Sequence, residues 1–484
     1  MDPTPQDTAE VRTRLLRPAR PWGLVALLAV LVTGFLLSWH SLTDIDVWFH
    51  LRAGQDTLAG EGFPSTNHYS FTEPDHPWLN HEWLFQILIA GLGPGTAEAR
   101  IDPDVTGWNV LRTLLGIGLT LLLAWSGGLF HRMQGTSQGA ASWTGVVLLA
   151  GLLLLWPRLT LRPELLSYAA LILVVESVQR LSRGSTPQAG LRELLLGRAG
   201  GVLLVTLLWA QIHGFAALAP LVVLLAGILA PLDRRWRRLP AHGGPSPRVW
   251  GLLVLGCLVA LALTPNGPRG LVFPFRALGQ FGGEGVDLRR TVSELVPLLE
   301  SPGTLAWTSK AYLAALLWGT FWILARWRAV SLLRIVLFVG AAAAALTNQR
   351  NIGLFAVAFV LLHAPSPVPP APLVRLIRPA FLKPHWVALW GLVVVVVGSG
   401  LWWPAITGDR FYLHEGVGRR FGGGVNPARV PQAATAALAQ RDIDRYFANL
   451  DGAAYTLARG AGRIFIDGRT EAYSPALWEE YLAI

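Results

Sequence analysis

Residues 22–54 read WGLVALLAVLVTGFLLSWHSLTDIDVWFHLRAG, and the junction in the middle of this stretch decides the fold. From Trp22 to Trp39 there is no charged side chain, and the run is long enough to cross the hydrocarbon core of a bilayer. His40, Asp44, Asp46 and His50 follow it at once. Ahead of it, Arg12, Arg14, Arg17 and Arg20 place the tail of residues 1–20 in the cytoplasm by the positive-inside bias. The run reads as a retained signal anchor, since it is long and no small-residue cleavage site precedes His40. Segment 40–83 is then the first outer loop.

The rest of the chain repeats this pattern. Hydrophobic residues make up 52% and charged residues 14%, with a mean hydropathy of +0.44. Further apolar runs lie near 107–130, 143–157, 164–181, 200–232, 250–264, 306–325, 332–347, 352–363 and 386–403. Residues 83–93 are apolar but too short to span, which suggests a half-inserted helix. The run 200–232 carries His213 and Gly214 at its centre and reads as two short helices meeting at the outer face. The net charge of +10 sits in short arginine-rich loops: 183–198, 233–248, Arg326 to Arg334, and the Pro-rich linker 365–385 with Arg375, Arg378 and Lys383. All of these fall on one side of a topology of about eleven crossings. That distribution sets orientation and argues against nucleic acid as a partner. The lone Cys257 allows no intrachain disulfide. The expected fold is an all-α polytopic bundle over residues 21–403, with outer loops at 40–83 and 265–305.

Residues 404–484 have the composition of a soluble, extracytoplasmic α/β segment. Pro431 to Leu450 has helical spacing, and RIFID (463–467) reads as a short strand entering a glycine turn. The chain stops in SPALWEEYLAI, an apolar helical pattern without a cap or polar tail, so this segment is expected to be truncated.

Asp44 and Asp46 carry the candidate chemistry. Two residues apart in extended chain, their carboxylates face one side and can converge on a cation or a hydroxyl. If a helix starts at Asp46, His50 lies one turn on and shares its face. Trp48, Leu51 and Leu58 would then anchor that helix at the lipid interface. An aspartate there can take a proton from an incoming nucleophile, a step that contributes on the order of 10²–10⁴ in rate. The competing role of Asp46 is to cap the helix. Two aspartates and a histidine do not define a metal geometry, so a divalent cation (magnesium or manganese) on Asp44 and Asp46 stands as an alternative.

Arg158 and Arg162, in WPRLTLRPELLSY, and Arg350, in TNQRN, fall on the outer side, where the topological bias disfavours arginine. A guanidinium at mid-bilayer costs roughly 2.5–3.5 kcal/mol on the insertion scale, so these side chains want an anionic partner. A phosphate held bidentately is one such partner; Glu82, Glu164 or Glu294 is another. His81, Glu82, His213 and Glu294 are accessory candidates, Glu294 entering from the second outer loop. Asn266, in TPNGP, makes a turn at the end of a span.

With these residues in place, the chain resembles the GT-C superfamily of polytopic membrane glycosyltransferases. In detail it looks like a bacterial group with a D-x-D-x-W-x-H-L-x-x-G segment, here Asp44, Asp46, Trp48, His50, Leu51 and Gly54. Gly62, Pro64 and Ser70-Phe71-Thr72 follow, then RPELLSY, WAQIHGF, QRN and IDGR-x-x-x-Y, from Asp467 to Tyr473. The resemblance implies a bacterial inner-membrane enzyme that moves a sugar from a polyprenyl-phosphate donor to an outer acceptor (glycan, lipid or protein), with inversion. A first-loop aspartate would be the base. D-x-D replaces the adjacent Asp-Glu pair of the mannosyltransferases, which leaves open which aspartate acts. No W-W-D-Y-G motif is present, which argues against transfer to peptide asparagine. Two other classes compete: a transporter or flippase of lipid-linked sugars, and a non-catalytic scaffold for envelope assembly.

Overall fold

The computed structural model describes residues 21–94, 103–134, 138–183, 197–237, 244–273, 292–300, 306–365, 384–441, 443–460 and 462–484. The N-terminal arginines, most of the 183–198 loop, linker residues Arg375, Arg378 and Lys383, and Glu284 and Asp287 lie outside them.

The chain is mainly helical. After α1 (Pro21–Ser38) come α2 (Asp46–Leu58) and α3 (Trp83–Leu92), then α4 (Thr106–Ser126), α5 (Leu129–Gln134), α6 (Gln138–Leu155) and α7 (Glu164–Ser182). The expected break in the 200–232 run is present: α8 (Arg198–Ala210) stops, His213 is extended, and α9 (Leu218–Arg237) begins after one 3₁₀ turn. There follow α10 (Pro247–Ala262), α11 (Ala306–Arg326), α12 (Leu332–Thr347), α13 (Ile352–His363) and α14 (Pro384–Thr407). Among the described residues, six helices are long and apolar enough to cross a membrane, and five further apolar helices are 10–17 residues long.

Helix starts follow local chemistry. Ser246 accepts from the Val249 amide ahead of Pro247, a residue whose fixed φ and missing N–H suit the first helical position. Helices in the bundle approach closely where side chains are small. A Cβ on Gly116 of α4 would fall 2.0 Å from the Ser38 hydroxyl of α1.

Beyond α14 the chain forms α15 (Arg410–His414), α16 (Gln432–Ala439), β1 (Arg445–Tyr446), α17 (Leu450–Ala458), β2 (Arg463–Ile464) and α18 (Pro475–Ala483). The helix expected over Pro431 to Leu450 is interrupted. It ends at Ala439, and the stretch around Arg445 turns into a strand that pairs parallel with β2, Tyr446 opposite Ile464. Tertiary pairing overrides the helical spacing here. α18 does carry a cap, because the Ser474 hydroxyl accepts from the Leu477 amide.

This segment is stitched to the 40–83 loop. The Ser41 and Leu42 amides donate to the carbonyls of Arg420 and Gly424, and the Ile464 amide donates to that of Tyr69. Ser70 and Thr72 both donate to the Phe465 carbonyl, at 2.9 and 2.7 Å.

Candidate functional site

α2 carries the candidate residues, and its apolar side explains its position. Trp48 is buried with its ring 5.1 Å from Trp108 and 4.7 Å from Tyr455, centroid to centroid. Val47, Leu51, Phe85 and Ile89 join the same cluster. Trp48 and Leu51 are therefore core residues and not the lipid anchors expected of them; only Leu58 is exposed. Burial between a long apolar helix and the C-terminal segment removes more apolar surface from water than an interface would. Gly54 lets α3 seat against α2, since a Cβ there would lie 2.1 Å from the Gln86 carbonyl oxygen.

With α2 fixed, the aspartates converge, and the cation between them belongs to the protein. Arg162 donates through Nε to Asp44, and its Nη2 lies 2.9 Å from Asp46. Its Nη1 donates to Glu294 at 2.8 Å. Asp46 does not cap the helix; Asp44 accepts the Asp46 amide instead, at 3.1 Å. Glu294 also lies 3.1 Å from Arg158, which is bonded to Glu164, and Glu164 accepts from Arg350 at 3.0 Å. The arginines proposed from sequence as phosphate ligands thus all rest on carboxylates. Glu164 and Glu294, offered as alternative partners for these arginines, take that place, and Glu294 comes from the 265–305 loop.

The network is graded in exposure. The Asp44 and Glu164 side chains are 3% exposed, whereas Asp46, Arg350 and Glu294 retain 25%, 28% and 30%. Burial lifts the Asp46 carboxyl well above the usual carboxylate range; Arg162 opposes the rise, and Asp44, Glu294 and Glu82 add to it. Burial would raise Glu294 too, but Arg158 and Arg162 outweigh it and lower the group to about 2.

Glu82 sits among three imidazoles, 3.7 Å from His50, 3.5 Å from His81 and 3.7 Å from His213. Burial would raise its carboxyl, yet His81 and the other two rings outweigh that and lower it to about 2. Burial pushes His50 down to about 4 against the pull of Glu82 and Asp44. In His81 burial acts downward, but the adjacent Glu82 wins and raises it. The Nδ1 of His213 is bonded to Ser167, and that of His50 is buried without a partner. Asn266 reaches across to the Asn80 carbonyl at 2.9 Å, so its role extends beyond a turn.

Among the described residues, no group of three or more His, Cys, Asp or Glu side chains is arranged to hold a metal ion. The space between Asp44 and Asp46 holds a guanidinium, so the donor set does not fit a divalent cation.

Sequence reasoning missed two arginines. Arg112 of α4 is buried and donates to the Ser38 and His40 carbonyls and to Asn109, while its Nη1 is unpartnered. Arg419 donates to the Trp156 and Pro157 carbonyls and lies over the Trp156 ring. Arg112 had a signal, an arginine inside the apolar run 107–130; Arg419 had none. No protein-family model matches the chain, and no curated protein matches it in sequence.

Proposed function

We propose that the protein is a membrane glycosyltransferase that moves a sugar from a polyprenyl-phosphate donor to an outer acceptor. In this reading the bundle crosses a bacterial inner membrane about eleven times, with the N-terminus cytoplasmic and residues 404–484 outside. Asp46 is the base. It faces solvent more than Asp44, and a carboxylate lifted above its ordinary range accepts a proton more readily near neutral pH. Asp44 holds Arg162 and the start of α2.

The observation that carries the reading is the continuous chain Asp46–Arg162–Glu294–Arg158–Glu164–Arg350, which links a part-exposed base to a part-exposed guanidinium. Arg350 is the arginine placed to take the donor phosphate. In the transfer step the acceptor oxygen bonds to the anomeric carbon from the face opposite the phosphate. The bond from that carbon to the phosphate oxygen breaks, Asp46 receives the acceptor proton, and polyprenyl phosphate leaves. The anomeric configuration inverts.

With Asp46 ionised, as a base must be, Arg158, Arg162 and Arg350 face four carboxylates, Asp44, Asp46, Glu164 and Glu294, one negative charge in excess. A phosphate adds to that excess, and Arg112 and Arg419, bonded to carbonyls, are the nearby positive charges that offset it. Mass spectrometry of lipid extracts from membranes with and without the protein tests the function. Accumulation of a polyprenyl-linked sugar on its loss is the expected result, and unchanged lipid-linked sugars and envelope glycans would count against it.

A further inference from the structure

The IDGR element has no role in the proton-transfer scheme above, yet it touches the base. A Cβ added to Gly468 would lie 3.0 Å from the Asp46 Oδ1 oxygen, tighter than an ordinary carbon–oxygen contact. Gly468 is not among the positive-φ glycines, so backbone conformation does not demand glycine there. What glycine supplies is space in front of a carboxylate.

The residues on either side make this turn rigid. Arg469 Nε donates to both Asp467 oxygens at 3.0 and 2.9 Å, and its Nη2 donates to Asn67 at 2.9 Å and to the Tyr473 oxygen at 3.2 Å. Tyr473 in turn donates to Asp467 at 3.0 Å. The guanidinium lies over the rings of Trp78 and Tyr69, at 4.7 and 5.0 Å from their centroids. Two residues before Asp467, just past β2, Ser70 and Thr72 grip the Phe465 carbonyl. The first-loop SFT element and the C-terminal IDGR element therefore form one clamp.

We infer that the Asp467–Arg469 turn is a fixed wall of the site that positions the Asp46 carboxylate against Arg162, with the bare Gly468 allowing the approach. The C-terminal segment is then part of the reaction site and not an appendage to it. The inference rests on the reading of Asp46 as base, and Gly468 acts as a positioning residue through it.

The test is carbodiimide labelling of Asp46 in the detergent-purified full chain. The extent is read by peptide mass spectrometry across pH, since the protonated acid is the reactive form. Gly468→Ala displaces the carboxylate from its seat beside Arg162 and should shift the pH of half-labelling by about one unit, a tenfold change in protonation. Asp467→Asn keeps the shape, frees the turn and admits water, and should lower it by a similar amount. Gly91→Ala on α3, with nothing within 4 Å of the added carbon, is the control. Size-exclusion profiles and thermal midpoints show which variants fold, and either Gly468→Ala or Asp467→Asn alone decides the matter.

A folded Gly468→Ala or Asp467→Asn variant with the parental Asp46 profile overturns the wall, as does an equal shift in Gly91→Ala. The readout does not require transfer. A shifted profile in a protein without transferase activity keeps the wall and removes the base, whereas transfer with an unshifted profile does the reverse. Where transfer occurs, Gly468→Ala should lower kcat and leave the donor KM unchanged.

Discussion

Arg469 and Arg162 are both held by carboxylates, but their surroundings differ. Arg469 and Asp467 are each 0% exposed, the Arg469 Nε is shared between both Asp467 oxygens, and the guanidinium lies against the Tyr69 and Trp78 rings. Arg162 is 15% exposed and divides its donors among Asp44, Asp46 and Glu294, two of which remain open to solvent. A pair sealed from solvent is out of reach of an arriving anion and serves geometry, even though the Arg469 Nη1 is itself buried without a partner. A shared, part-open guanidinium can give up one partner when another anion arrives. The same element types thus make a sealed brace in one place and a part-open charge network in the other.

Breaking the brace should have the largest effect on stability. Asp467→Ala leaves Arg469 buried without its carboxylate and is expected to cost about 3–5 kcal/mol, read as a lowered thermal midpoint in detergent. Asp46→Asn keeps the shape at a part-open site and should leave the midpoint nearly where it was; comparable losses in both would erase the distinction between the two regions.

Acid comes next. His50 titrates near 4 in the fold and near 6.5 when unfolded, so the unfolded chain binds its proton first. The resulting stability is complete above pH 6.5 and is lost as pH falls toward 4, at up to about 1.4 kcal/mol per unit. Midpoints measured from pH 7 to 4 should show that slope, reduced in His50→Gln; a flat profile speaks against a buried neutral imidazole. A smaller effect is expected from Arg350→Gln. If the open end of the network meets the donor phosphate, the donor KM rises by roughly tenfold with little change in kcat. An unchanged KM would move the phosphate elsewhere, with Arg419 the next candidate.

Apolar run length made most of the bundle legible. The helices from α6 to α13 begin and end near the boundaries expected from hydropathy, and His213-Gly214 marked the break between α8 and α9. Roles set by partners distant in sequence were not legible. Arg162 lies 118 residues from Asp44 and 132 from Glu294, and nothing in local spacing says that one guanidinium serves both. Trp48 was misread for the same reason: a tryptophan beside an apolar run looks like an interface residue until Trp108 and Tyr455 cover it. Arg334, counted as a topology-setting loop charge, is buried and bonded to Glu176 at 2.6 Å. The 431–450 helix failed because pairing with a strand eighteen residues on decided the state of Arg445 and Tyr446.

The role proposed for Asp46 is that of a base at the open end of a shared charge network. It is tested most directly by sugar transfer in proteoliposomes of the purified chain, supplied with polyprenyl-phosphate-linked sugars extracted from membranes. The account predicts that Asp46→Asn lowers kcat by about 10²–10⁴ while the protein keeps its thermal midpoint. Parental turnover in folded Asp46→Asn would contradict it.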